Sequence, residues 1–109
     1  MLKRYLDKNK FGHHTWEMFF DPVFPIRIYE TNDNSYLVEL LEYSWFKTKV
    51  HFTFISTKTL QETIVETLDK VFDYFIQNKE YNWTIYQKEI FENEVLEELD
   101  IYVKNKRVR

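Results

Sequence analysis

Residues 59–78, TLQETIVETLDKVFDYFIQN, have the clearest hydrophobic period in the chain. At 100° per residue the apolar positions fall within an arc of roughly 160°, and the acidic positions fall outside it. A stripe this wide is typical of a helix that lies on a sheet or core. Thr59 and Glu62 have the spacing of a capping box, and Asn78 is a residue type that ends helices. The pattern predicts a long amphipathic helix with its inward side chains at Leu60, Ile64, Val65, Leu68, Val71, Phe72, Phe75 and Ile76.

From residue 26 the period changes to two. Residues 26–30, 36–43 and 49–56 are predicted to be strands. Turn-forming residues occupy 31–35, and a second turn is expected at 44–48. Because the connections are short, the three strands are predicted to form an antiparallel meander, with the long helix across its apolar face.

The two ends of the chain have weaker patterns. Residues 1–10 are interpreted as a short helix or an ordered arm, and residues 13–20 as one or two helical turns. A second helix is predicted over residues 88–103, with a strand at 99–103 as the alternative, and residues 83–86 fit either a fourth strand or a loop. The prediction is a single α+β domain over residues 1–109. It contains a three- to four-stranded antiparallel meander, a long amphipathic helix packed across one face, and short N- and C-terminal helices.

This order of elements resembles that of the double-stranded RNA-binding domain. That domain has lysines and a glycine at the start of its last helix, where Thr59, Gln61 and Glu62 stand here. The departure argues against the resemblance.

The composition excludes several classes of protein. Without cysteine there is no disulfide framework and no thiolate metal site, which fits a reducing cytoplasm. The sequence has no run of about 18 apolar residues and no signal-peptide core, so neither membrane insertion nor export is expected. Alanine is absent and glycine occurs once, while Lys, Asn, Ile, Phe and Tyr abound. This bias indicates an AT-rich genome, and a phage or mobile element is the predicted source.

The net charge of −3 is unevenly distributed. Residues 1–10 carry +3 and residues 104–109 carry +4, whereas residues 11–103 hold 17 acidic and 7 basic side chains. An acidic body favours a basic protein partner over nucleic acid. The basic tails alone would give weak, salt-sensitive binding to RNA or DNA.

Two clusters are candidates for contact with a partner. Glu94, Glu97 and Glu98 lie in an acidic run and would share one side of the second helix, where like charges cost a few tenths of a kcal/mol. Tyr43, Trp45 and Phe46 would be exposed interface anchors if they form a hairpin tip, and core residues if the strand continues through them.

His13, His14 and Glu17 are a candidate metal site. On a helix His13 and Glu17 would share a face, and Asp21 or His51 could supply a further zinc ligand. The sequence has no HExxH motif, no glycine-rich phosphate loop and no GxSxG elbow, so we expect no enzyme activity.

These features together predict a small non-enzymatic inhibitor from a phage or mobile element. It would block a basic, nucleic-acid-binding surface of a host defence nuclease, as anti-CRISPR and anti-restriction proteins do. The alternatives are a nucleic-acid-associated accessory protein that uses its basic tails, and a zinc-binding protein that uses His13 and His14.

Overall fold

The computed structural model describes residues 2–5, 13–21, 23–76 and 84–107. The elements in chain order are β1 (Leu2–Tyr5), β2 (Thr15–Asp21), β3 (Phe24–Glu30), β4 (Tyr36–Tyr43), β5 (Thr48–Ser56), α1 (Leu60–Ile76) and α2 (Ile85–Arg107). The chain divides into two compact units, Met1–Thr59 with the strands and Leu60–Arg109 with the helices.

The strands form one antiparallel sheet with the order β1-β2-β3-β4-β5, so every described strand pairs with its neighbour in sequence. The predicted α+β class and antiparallel meander are confirmed. The bounds of β4 are those expected from the sequence, and β3 and β5 begin two residues and one residue earlier than predicted. The predicted turn after β3 is present, and Asn34 takes the left-handed conformation there with φ of 61°.

The two faces of the sheet differ in chemistry. Two rows of directly opposed residues run across β2, β3 and β4 on one face, and their side chains are almost fully buried: Met18, Ile26 and Leu40, and Trp16, Ile28 and Val38. The opposite face carries a row of polar residues, Glu17, Arg27, Glu39 and Thr53. This separation follows from the alternation of side chains along each strand.

The N-terminal helical predictions are wrong. Residues 2–5 are β1, and β2 occupies the place of the helical turns expected over residues 13–20. The apolar residues Trp16 and Met18 alternate with the polar residues Thr15 and Glu17, which is the two-residue period of a strand. The sheet therefore has two strands before β3 that the sequence interpretation did not include.

The helix α1 begins directly after Thr59 and has Glu62 in its first turn, as the capping-box pattern predicts. Ile64, Leu68, Val71 and Phe75 are buried. Thr63 and Thr67 are buried as well, and the Thr67 hydroxyl donates to the Thr63 carbonyl oxygen at 2.6 Å. This bond satisfies the hydroxyl within the helix itself.

The second helix is present and is longer than predicted. Because Ile85–Arg107 is helical throughout, neither a strand over residues 99–103 nor a strand or loop at residues 85 and 86 is formed. Thr84 caps the helix: its hydroxyl accepts from the Gln87 N–H at 3.1 Å, and the Gln87 side-chain oxygen accepts from the Thr84 N–H at 2.9 Å. This reciprocal pair is a capping box, and it fixes the start of α2.

Within the helical unit α1 and α2 pack against each other, and α2 contributes the buried Val95 and Leu99. The packing of α1 across the sheet and the single domain over residues 1–109 stay predictions. Neither described helix is long and apolar enough to span a membrane.

Candidate functional site

The hairpin that joins β4 to β5 presents two large aromatic side chains to solvent. Trp45 is 95% exposed and Phe46 is 93% exposed. The turn is closed by Ser44, whose N–H and hydroxyl both donate to the Lys47 carbonyl oxygen, at 3.1 and 2.7 Å. Of the two sequence interpretations of this segment, the structure has the hairpin tip. We call Trp45 and Phe46 the aromatic tip.

Two lysines stand beside the aromatic tip. Lys47 follows Phe46 directly and Lys49 lies two residues further along, and both are exposed. Neither was singled out from the sequence, although the run WFKTK places them there. The tip is therefore apolar with a basic margin.

Tyr43 lies below the tip and is held within the sheet. Its hydroxyl accepts from an Arg27 guanidinium nitrogen at 2.5 Å, and the Arg27 guanidinium carbon lies 5.9 Å from the centre of its ring. The Arg27 Nε donates to Glu17 Oε2 at 2.9 Å. Burial lowers the pKa of Arg27. Its hydrogen bonds to Glu17 and Tyr29 and the charges of Tyr29 and Tyr43 raise the pKa by more, so that it lies above its ordinary value. Tyr43 is thus a member of a cross-strand network, whereas Trp45 and Phe46 extend beyond it.

The predicted acidic residues lie on α2. Glu94 and Glu97 are exposed, and Glu98 is half-buried. Helical geometry places Ile90 and Ile101 on the same line as Glu94 and Glu97, since the four are spaced by four, three and four residues. Ile90 is 42% exposed and Ile101 is 58% exposed. We call these four residues the outer stripe of α2; it lies opposite the buried Val95 and Leu99.

The inner side of α2 carries charge as well. Lys88 makes an ion pair with Asp69 of α1, and its ammonium lies 5.7 Å from the centre of the Phe72 ring. The hydrogen bond to Asp69 raises the pKa of Lys88, although burial lowers it. Burial also raises the pKa of Glu92; Lys88 lowers it, and the charges of Asp69 and Glu89 add to the rise. Carboxylates are therefore crowded along the α1–α2 contact, in a unit with eleven acidic and three basic residues between positions 60 and 103.

The proposed zinc ligands are not arranged as the sequence argument requires. Residues 15–21 are a strand, so His13 and Glu17 do not share the face of a helix. The His13 Nε2 lies 3.0 Å from Asn32 Oδ1, and Glu17 is bound to Arg27. His51, considered as a further ligand, lies with its Nε2 2.6 Å from Glu42 Oε1. Among the described residues no group of three or more His, Cys, Asp or Glu side chains could hold a metal ion. The helical argument for the site is wrong, and zinc binding at His13, His14 and Glu17 stays an untested prediction.

A small polar cavity lies beside the turn between β3 and β4. Its volume is about 210 Å³, and its lining residues are His13, Glu30, Thr31, Asn34, Ser35 and Tyr36. Thr31 and Ser35 bond to each other and to Asp33, and these bonds hold the pKa of Asp33 below its ordinary value. Ligand sites usually have volumes of about 300–1,000 Å³ and mostly apolar walls. We interpret this cavity as part of the turn rather than as a site.

No protein-family model, no curated protein and no solved structure matches the chain. A function must therefore be inferred from the aromatic tip and the outer stripe themselves.

Proposed function

We propose that this protein acts by binding another protein, and that the aromatic tip is its anchor. The single observation that carries the proposal is the exposure of Trp45 and Phe46, at 95% and 93%, on a turn closed by hydrogen bonds. Fully exposed Trp and Phe side chains contribute nothing to a core, and contiguous apolar surface of this kind marks interaction sites. Tryptophan is also among the residues that contribute most to binding energy in interfaces.

The turn gives the tip a second property that suits an anchor. Because Ser44 bonds twice to the Lys47 carbonyl oxygen, the backbone that carries Trp45 and Phe46 is ordered before a partner arrives. Ordering an interface segment in advance reduces the entropy lost on binding. A mobile loop with the same two side chains would bind more weakly.

The partner we propose has a basic surface, and the helical unit supports this part of the proposal. Its excess of carboxylates between residues 60 and 103 includes Glu94 and Glu97, which are exposed. Charge of this sign speeds association with a positively charged protein and disfavours nucleic acid. We propose further that the basic surface is the nucleic-acid-binding surface of a host defence nuclease. Inhibition by a phage or mobile-element protein would then work by occlusion, without catalysis and without a cofactor.

The first experiment tests the anchor. A photo-cross-linking amino acid at position 46 identifies the partner in a lysate of a low-GC bacterial host, and the purified partner is then titrated with the unmodified protein and with the variant W45A/F46A. We expect affinity to fall by about 100-fold or more, since each anchor residue contributes roughly 2 kcal/mol or more. Ile55→Ala is the matched control, because Ile55 is 68% exposed on β5 away from the tip. Equal losses in the two variants would exclude the tip as the anchor.

The second experiment tests occlusion. The purified partner is offered labelled DNA or RNA with and without this protein. We expect the protein to displace the nucleic acid in proportion to its own occupancy, and W45A/F46A to displace it only at much higher concentration. Simultaneous binding of nucleic acid and protein would contradict occlusion and leave the protein interaction intact.

A further inference from the structure

We infer that the outer stripe of α2 is a docking surface for a basic amphipathic helix of a partner protein. The inference rests on the proposed function and specifies the partner's chemistry at one place. The outer stripe consists of Ile90, Glu94, Glu97 and Ile101, which are all exposed and all lie on one side of the helix.

The stripe has the spacing of a helix-pairing seam. Its four positions are separated by four, three and four residues, which is the a/d spacing of a heptad. They span about 16 Å along the helix axis, at about 1.5 Å per residue. A facing helix of three turns could therefore contact all four side chains.

The apolar residues of α2 do not all serve its packing in the helical unit. Val95 and Leu99 are buried, whereas Ile90 and Ile101 lie roughly 120–180° around the helix from them and remain exposed. A helix that only covers one core has a single apolar face. Two exposed isoleucines on the opposite face are explained by a second contact.

The charges select the occupant. The order of the stripe is apolar, acidic, acidic, apolar, and it reads the same in both directions. If a second copy of the chain docked on it, in parallel or antiparallel orientation, carboxylates would oppose carboxylates in the centre of the contact. Such a contact is repulsive and disfavours self-association in either orientation. A helix with two basic residues between two apolar residues would instead pair both carboxylates and cover both isoleucines.

The test uses synthetic helical peptides in place of the partner. The first peptide places leucine, lysine, lysine and leucine at the same four-three-four spacing on a neutral background. A second peptide has glutamate for both lysines, and a third has the composition of the first with its leucines moved to the opposite face. We expect the first peptide to bind about tenfold or more tightly than either of the others, because it alone supplies both charge and apolar contact.

Variants of the protein complete the test. E94K/E97K should bind the lysine peptide about tenfold or more weakly than the unmodified protein does, and should bind the glutamate peptide more tightly. A loss of folding cannot produce this reversal of preference. I90S/I101S should bind the lysine peptide more weakly as well, although its net charge is that of the unmodified protein. D73K/E89K is the matched control, since it makes the same charge change on exposed helical residues outside the outer stripe. Ellipticity at 222 nm confirms that each variant is helical.

Several results would overturn the inference. These are no binding of the lysine peptide, equal binding of the peptide with displaced leucines, or a D73K/E89K effect equal to that of E94K/E97K. A dimer of the unmodified protein that I90S/I101S dissociates would identify a second copy as the occupant instead. None of these outcomes involves Trp45 or Phe46, so the anchor proposed above is tested separately.

Discussion

Glu17 is a carboxylate within a strand whose side chain is only 3% exposed, and Arg27 on the adjacent strand makes that burial tolerable. The two residues face each other across β2 and β3. The sequence shows Glu17 near two histidines and so suggested a metal ligand. It does not show the register of two strands, which brings Arg27 to Glu17 from ten residues away. The partner of a buried charge is set by such pairing, and local spacing alone does not predict it.

At this scale we predict that Arg27→Met destabilises the protein by roughly 2–4 kcal/mol, because it leaves a buried carboxylate without its counter-ion. The double variant E17M/R27M should recover most of that loss, since apolar side chains can replace a buried pair at little cost. Urea denaturation followed by circular dichroism measures both. A double variant as unstable as Arg27→Met would show that the loss does not come from leaving Glu17 unpaired.

Elements with a strong local pattern were predicted well, and elements defined by pairing were not. The turn residues on both sides of β4 and the wide apolar stripe of α1 are clear in the sequence, so the bounds of β4 and the start of α1 followed from it. The predicted end of α1 at Asn78 lies outside the described residues. The alternation that indicates β2 is present in TWEM, but Thr15 is also a residue type that caps helices, and the segment was interpreted as helical turns. The four-residue β1 is too short to have a period, and it exists because β2 offers it an edge to pair with.

The candidate site divides in the same way. The aromatic tip and the exposed glutamates could be proposed from the sequence, but only the structure decides between tip and core for Trp45 and Phe46. Ile90 and Ile101 were missed, although their spacing from Glu94 and Glu97 is visible in the sequence. The start of α2 was also missed, although Thr84 and Gln87 have the capping-box spacing.

The α1–α2 contact gives a prediction about pH. Burial and the neighbouring carboxylates raise the pKa of Glu92. A raised carboxyl pKa in the folded state contributes stability that is complete below the unfolded pKa and is lost as pH rises through the folded value. Glu92→Gln should therefore be more stable than the unmodified protein at pH 7, by about a few tenths of a kcal/mol, the size of a like-charge contact on a helix. At pH 3.5 the two should be equal, and urea titrations at both pH values measure the difference. A variant less stable at pH 7 would show that attraction from Lys88 dominates.

At the scale of the whole molecule, charge is divided between the two units. Residues 1–59 hold eight basic and seven acidic side chains, so the acidic body seen in the sequence is the helical unit. The aromatic tip with Lys47 and Lys49 belongs to the strand unit, and the outer stripe belongs to the helical unit. The aromatic tip therefore has a positively charged margin and the outer stripe is negatively charged. Attraction between an acidic protein and a basic partner describes the outer stripe and does not describe the tip.

The number of cooperative folding units is a prediction at this scale too. The units contain 59 and 50 residues, close to the lower limit at which a chain without disulfides or metal folds alone. We therefore expect one cooperative unfolding transition.

The measurement uses a W45F/W83F background, where fluorescence of the buried Trp16 reports the strand unit and ellipticity at 222 nm reports the helices. Leu68→Ala removes a buried side chain of α1 and should cost about 2–4 kcal/mol. In one cooperative domain this loss shifts both transitions equally, because the strand unit has no stability of its own to retain. If the transition measured by ellipticity shifts and the transition measured by Trp16 fluorescence does not, the units fold independently. Each binding surface could then be produced and tested on its own unit.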